Sequence, residues 1–218
     1  MHKLDRSKAP HPVCLGNYSY PNQTWDDLAR PDYIEIRTSL FSIQGFRCAY
    51  CEGGVYLDGH VEHFRRKNPN HFPALTFDWG NLFFACGSKK HCGHYKDRSN
   101  GDPYNPNDVI KPDIEDPSDF LHFQSLGTVE PRSDITGDNK EQLLHRATET
   151  IRVFNLDCGA LRQERRRAIQ LYKNRDKQFF EDLSLFTDDE RRAIIEDEIR
   201  ATAEENYATA IRHFLEKL

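Results

Sequence analysis

The chain has 218 residues, 37% of them hydrophobic and 30% charged, with a formal net charge of −5. That length allows one domain with a modest core, or a small catalytic core with an extension, and the charge does not mark a nucleic-acid binder, so any such binding must come from local basic patches. No apolar run approaches the roughly 20 residues that a membrane span needs, and Met1-His2-Lys3-Leu4-Asp5-Arg6 has no apolar segment behind it and does not read as a secretory signal.

These features predict a cytoplasmic protein, in which six cysteines point to metal rather than to disulfides. Residues 1–31, rich in Pro, Asn and Tyr, read as an irregular N-terminal arm. From Asp32 to Gly45 the apolar residues Ile34, Ile36, Leu40, Phe41 and Ile43 predict a helix that Gly45 stops. Cys48 to Cys51 is a tight turn. Val55 to Phe64 reads as a β-hairpin with Leu57-Asp58-Gly59 at its turn. A loop covers Asn68 to Phe77, Trp79 to Ala85 leads into a second cysteine turn, and a short helix follows Cys92. Repeated Pro, Asn and Asp mark Asp102 to Pro117 as a structured loop. Phe120–Phe123 and Gly127–Val129 pair as a small second hairpin. Three helices follow, over 139–155, 159–183 and 188–217, with Thr187-Asp188-Asp189-Glu190 as N-cap signal of the last. The expected class is therefore α+β and mostly helical. A core over 32–115 is joined by a loop or hairpin at 116–137 to a helical C-terminal region at 138–218.

Cys48 and Cys51 form a C-x2-C knuckle, and Cys86 and Cys92 a wider C-x5-C pair. Four soft thiolates in tetrahedral array close a structural Zn²⁺ site with no open position. Cys14 and Cys158 lie outside this pattern and read as ordinary thiols. Between the pairs lie His60-Val61-Glu62-His63, Trp79-Gly80-Asn81-Leu82 and, overlapping the second pair, His91-Cys92-Gly93-His94-Tyr95-Lys96. On a strand His60 and Glu62 share a face, and His63 sits at the end. An imidazole is a suitable general base near neutral pH. A carboxylate with imidazoles suits a divalent cation that keeps positions open for water and phosphate.

In this order of residues the chain resembles the HNH, or His-Me finger, nucleases. C-x-Y-C-E, H-V-E-H-F, W-G-N-L and H-C-G-H-x-K are similar to the PtuB-type HNH subunits of Septu and retron-associated anti-phage systems. The resemblance covers about residues 32–115. It implies a zinc-stapled ββα-metal core and a metal-dependent endonuclease acting on DNA or RNA, the effector nuclease of a bacterial defence complex. It implies His63 as the base, Glu62 and His94 as ligands of Mg²⁺ or Mn²⁺, and Asn81 as the residue that orients His63. Lys96 or Arg65 would contact the phosphate, and His60 would support the hairpin or help position water. An ATPase partner, and a retron reverse transcriptase with its nucleic acid, are implied in the same way. Two positions depart from the family pattern. Arg66 stands where many members have Pro, and Gly93 stands where the ligand His usually follows the last zinc cysteine, which makes His91 a rival to His94. The competing reading is a non-catalytic zinc module that binds nucleic acid or a partner protein. The 159–183 helix is basic and the 188–217 helix acidic, which suits weak mutual attraction in an antiparallel pair.

Overall fold

The computed structural model describes residues 1–218 except Leu57 and Asp176. Helix α1 spans Arg30–Gln44, and Gly45 ends it in the left-handed conformation at φ 60°. Strand β1, His60–His63, pairs antiparallel with β2, Leu82–Ala85, with Glu62 opposite Phe83 and His63 opposite Leu82. The short helix α2, Cys92–Lys96, follows. This ββα unit carries residues of both the cavity and the cysteine cluster.

The pairing of β1 corrects the hairpin expected over 55–64. Its proposed turn residue Leu57 lies outside the described residues, but the rest of the segment is placed. Gly54 bridges to Arg47, and the Val55 N–H donates to the Phe46 carbonyl at 2.9 Å. The strand partner comes from 82–85, beyond the long loop 64–81. Gly59 shows why: a Cβ there would lie 2.4 Å from the Phe84 ring and 2.8 Å from the Ala85 carbonyl. Leu82, Phe83 and Phe84 are at most 1% exposed, and burying such side chains is worth roughly 1.5–3 kcal/mol each. The local Asp-Gly turn signal loses to that apolar strand.

A two-stranded sheet has open edges. The outer edge of β2 is closed by a side chain. The Gln44 amide donates to the Phe84 carbonyl and accepts from the Phe84 N–H, both at 2.8 Å. The last residue of α1 thus acts as a short third strand.

The second hairpin forms from β3, Leu121–Phe123, and β4, Val129–Pro131. Helices α3 (Lys140–Phe154), α4 (Gly159–Arg175), α5 (Lys177–Asp182), α6 (Asp188–Ala201) and α7 (Ala208–Leu215) follow. The expected capping box at Thr187 and Glu190 opens α6. The single helix expected over 188–217 is two, because Tyr207 takes a left-handed φ of 60°. Its N–H donates to the Glu52 carbonyl. That break turns α7 into the core, where all its residues but Arg212 are buried. The segment expected as a helix over 159–183 is helical on both sides of Asp176, as α4 and α5, and a 3-10 turn at Leu183–Leu185 follows. The basic and acidic segments touch where Arg175 pairs with Glu205. The N-terminal arm lies against the core, with Met1, Leu4 and Leu15 buried.

Glu52, next to the knuckle cysteine Cys51, ties these parts together. It accepts from the Thr209 N–H at the start of α7 at 2.9 Å and pairs with the Met1 ammonium group at 2.8 Å. Burial alone would raise its carboxyl pKa, but the Met1 ammonium and His2 hold it well below the usual carboxylate range. Removing one partner of such a buried pair costs about 3–5 kcal/mol. Glu52→Ala is therefore expected to lower the urea midpoint markedly at pH 7. Because the folded pKa is depressed, this contribution is complete above the unfolded value of about 4.3 and is lost as pH falls through the folded value. Acidification should thus destabilise the wild type more than the variant, and equal midpoints at pH 7 would contradict the assignment.

Candidate active site

Two clusters stand on either side of α2. The first is the cysteine set. The ligand atoms of Cys48, Cys51, Cys86 and Cys92 all lie within 4.8 Å of one another. None forms a disulfide, and all but Cys86 are buried. Zinc–sulfur bonds of about 2.3 Å in a tetrahedron put sulfurs roughly 3.8 Å apart, so the four thiols fit a zinc ion. The Gly53 N–H approaches the Cys51 sulfur at 3.5 Å. Cys14 and Cys158 take no part in the cluster. His91 faces it: Nδ1 lies 3.2 Å from the Cys92 sulfur and 3.7 Å from that of Cys86.

On the other side a cavity of about 470 Å³ opens over β1. Its lining includes Glu62, His63, His60 and His94, so β1 and the first turn of α2 face each other across it. The His60 and His94 rings stack at 4.0 Å and 17°. His94 therefore points to the cavity and His91 to the cysteines.

The departure at Gly93 has a steric reason. A Cβ there would sit 2.4 Å from a Glu62 carboxylate oxygen. The residue after Cys92 must leave room for Glu62, and the imidazole arrives one position later.

Glu62 is 3% exposed. Its Oε1 pairs with Lys96 Nζ at 2.8 Å and its Oε2 with His60 Nε2 at 3.2 Å. Burial opposes ionisation, but Lys96 and His60 outweigh it and bring the pKa to about 2. Glu62 is therefore a carboxylate at neutral pH. Lys96 also contacts the His63 carbonyl at 2.9 Å and Asp97 at 2.7 Å. It stays charged despite burial because Glu62 and Asp97 flank it. This corrects the expectation that Lys96 contacts phosphate: at 2% exposure it is an internal counter-ion to Glu62 and Asp97.

His63 is 6% exposed. Its Nε2 lies 2.9 Å from the Thr76 carbonyl. A carbonyl only accepts, so Nε2 carries the proton and Nδ1 keeps a lone pair. Burial depresses the His63 pKa to about 4, against the opposing pull of the Thr76 bond. The ring is neutral at pH 7, and the Trp25 indole meets it at 4.6 Å and 88°. Burial and His60 likewise lower the His94 pKa.

Asn81 acts one step removed from His63. Its Oδ1 accepts from the Arg65 N–H at 2.7 Å, and its Nδ2 donates to the Arg65 and Leu75 carbonyls at 3.0 and 3.1 Å. It pins the loop 64–81 at the peptide next to Thr76, whose carbonyl orients His63. The Arg65 guanidinium reaches Asn107 at 2.6 Å and does not line the cavity. Arg66, Lys67 and Arg98 do line it, with Arg66 Nε held 2.9 Å from Asp97. Arg66, in the position where Pro is common in the family, therefore supplies charge to the wall. The sequence pattern did not single out Trp25, Thr76, Asp97 or Arg98. Thr76 acts through its backbone and Trp25 lies in the distant arm, so neither carries a local signal.

No protein-family profile matches the chain. It is similar to a protein of Escherichia coli named, provisionally, as the HNH endonuclease of retron Ec83, at 24% identity with 71% of this chain and 73% of that relative covered. This distant likeness supports a nuclease of HNH type. Among the described residues no helix is long and apolar enough to cross a membrane.

The cysteine cluster makes a direct expectation. Purified protein should carry about one zinc per chain by elemental analysis, as a closed four-thiolate site binds. Cys51→Ser should lower both that content and the thermal midpoint. Folded wild-type protein without zinc would contradict the assignment.

Proposed function

We propose that this protein is a metal-dependent HNH endonuclease that hydrolyses phosphodiester bonds of DNA or RNA. One observation carries the reading: a buried neutral imidazole with a free Nδ1 shares a basic-walled cavity with an ionised carboxylate and a second imidazole. A zinc module that merely binds needs no such set.

In this reading Arg66, Lys67 and Arg98 draw the phosphate into the cavity. His63 Nδ1 accepts the proton of a water placed in line with the scissile bond. The attacking oxygen bonds to phosphorus, the 3′ oxygen leaves with the electron pair of its bond and takes a proton from solvent, and the products are a 5′-phosphate and a 3′-hydroxyl. Thr76 and, through the loop, Asn81 hold His63 in the required tautomer. Glu62 and His94 offer one oxygen and one nitrogen donor to Mg²⁺ or Mn²⁺, with Gly93 leaving the space and Lys96 fixing the carboxylate. A bound divalent cation would stabilise charge on the phosphate and on the leaving oxygen. His60, between Glu62 and His94, keeps their side chains apart and oriented. A retron-type anti-phage setting with an ATPase partner belongs to the same proposal; the name of the Escherichia coli relative supports the retron part.

His63→Ala should lower divalent-cation-dependent cleavage at least ~100-fold, the low end for losing a general base, with zinc content and fold unchanged. His94→Ala should remove most cleavage and weaken the Mg²⁺ or Mn²⁺ response, and His91→Ala should do much less. Since His63 titrates near pH 4 and not 6.5, its acid limb in the rate profile should lie below pH 6.5. Normal cleavage by His63→Ala would favour the binding-module reading. A dead His91→Ala beside an active His94→Ala would move the ligand to the far side of Cys92.

A further inference from the structure

The cavity wall is charged or polar almost throughout. Trp25 is the exception: it is the large apolar ring among the described lining residues, and it is half-buried. It is held from behind. Phe77 lies 6.0 Å away at 28°, and Tyr18 stacks on Phe77 at 5.2 Å and 24°. The turn that carries it is fixed by Thr24, whose N–H donates to Asp27 at 2.8 Å. Tyr18 is in turn anchored through its hydroxyl to Asp32 at 2.6 Å. A rigid aromatic slab from the N-terminal arm thus stands beside His63.

Trp25 packs in part against the core, yet it also lines the cavity. Trp79, the other tryptophan, is 8% exposed and lies under the Arg6 guanidinium at 4.8 Å. Trp25 instead keeps surface in the cavity where the reacting phosphate would sit. Successive bases of an unpaired strand stack on such rings, and every base has a face to offer. The bases of a duplex are already stacked on one another, and His63 and Glu62 are recessed at 6% and 3% exposure.

We infer that Trp25 stacks an unpaired nucleobase next to the scissile phosphate, so that the substrate class is nucleic acid with unpaired bases at the cut. This rests on the nuclease reading of the cavity. The shared chemistry is the nucleobase, and single-stranded DNA and single-stranded RNA are its two sources.

The chain has two tryptophans, and the second is shielded, so a change in tryptophan emission on adding nucleic acid reports on Trp25. The full-length protein is titrated with end-labelled decamers of thymidine, of uridine and of a hairpin-free duplex, without added Mg²⁺ or Mn²⁺. Anisotropy of the label gives binding, and tryptophan emission gives stacking. Single strands are expected to quench the wild type, with the stronger quencher of the two naming the source, and the duplex is expected not to. Trp25→Leu should weaken single-strand binding roughly 5- to 150-fold, the range for loss of one stacked base. Trp25→Phe preserves the packing on Phe77, should retain most of that binding and should lose the quenching. Single-strand binding with unchanged emission, equal quenching by the duplex, or Trp25→Leu binding as tightly as the wild type would each overturn the inference while leaving the nuclease reading standing. If neither single strand nor duplex binds, the reading of the cavity falls, and the inference with it.

Discussion

Four sulfurs within 4.8 Å of one another hold three pieces of chain together: the knuckle after α1, the end of β2 and the start of α2. The β1–β2 sheet has four residues per strand, and a two-stranded sheet of that size is marginal by itself. The helix that completes the unit has five residues, too few to persist without tertiary support. Because β1 pairs with β2 and α2 starts at Cys92, the position of the cysteine cluster fixes how Glu62 and His63 face His94. The cysteine cluster and the cavity are two sides of one helix turn.

That short helix is crowded on both faces. His91 and Cys92 turn to the sulfurs, His94 turns to the cavity, and Lys96 reaches back under β1. Cys92 itself takes a φ of 62°, a left-handed conformation that few non-glycine residues adopt. Gly93 follows because the Glu62 carboxylate occupies the place of a side chain. Buried charge is expensive unless it is paired. Here Lys96 meets Glu62, Asp97 and the His63 carbonyl within 2.9 Å. That pairing keeps Glu62 ionised while burial leaves His63 neutral, two protonation states that a hydrolytic site needs side by side at pH 7.

Much of this was legible in the sequence because the signals were local. The C-x2-C and C-x5-C spacings mark the cysteine cluster, Gly45 marks the end of α1, and Thr187 with Glu190 marks the start of α6. The alternation of His60 and Glu62 on one strand face also follows from spacing alone. What failed to show depends on distant chain. The partner of β1 lies across the 64–81 loop, so the Asp-Gly signal at 58–59 misled. The break before α7 follows from the Glu52 carbonyl taking the Tyr207 N–H, a contact between residues far apart in sequence. Thr76 orients His63 with a backbone carbonyl that any residue would carry. The phosphate-contact role expected of Lys96 gave way because a lysine at a helix end can turn inward when two carboxylates lie within reach.

The proposed hydrolysis requires Glu62 as the anionic donor of the site. The most direct measurement compares wild type with the isosteric Glu62→Gln variant on single-stranded DNA and RNA pools, with Mg²⁺ or Mn²⁺ titrated in, cut ends mapped and zinc measured in both. The wild type should cleave with a requirement for the divalent cation and leave 5′-phosphate and 3′-hydroxyl ends, while Glu62→Gln keeps its zinc and loses cleavage. Cleavage by Glu62→Gln at the wild-type rate and cation dependence, or a wild type that cuts neither pool under either cation, would contradict it.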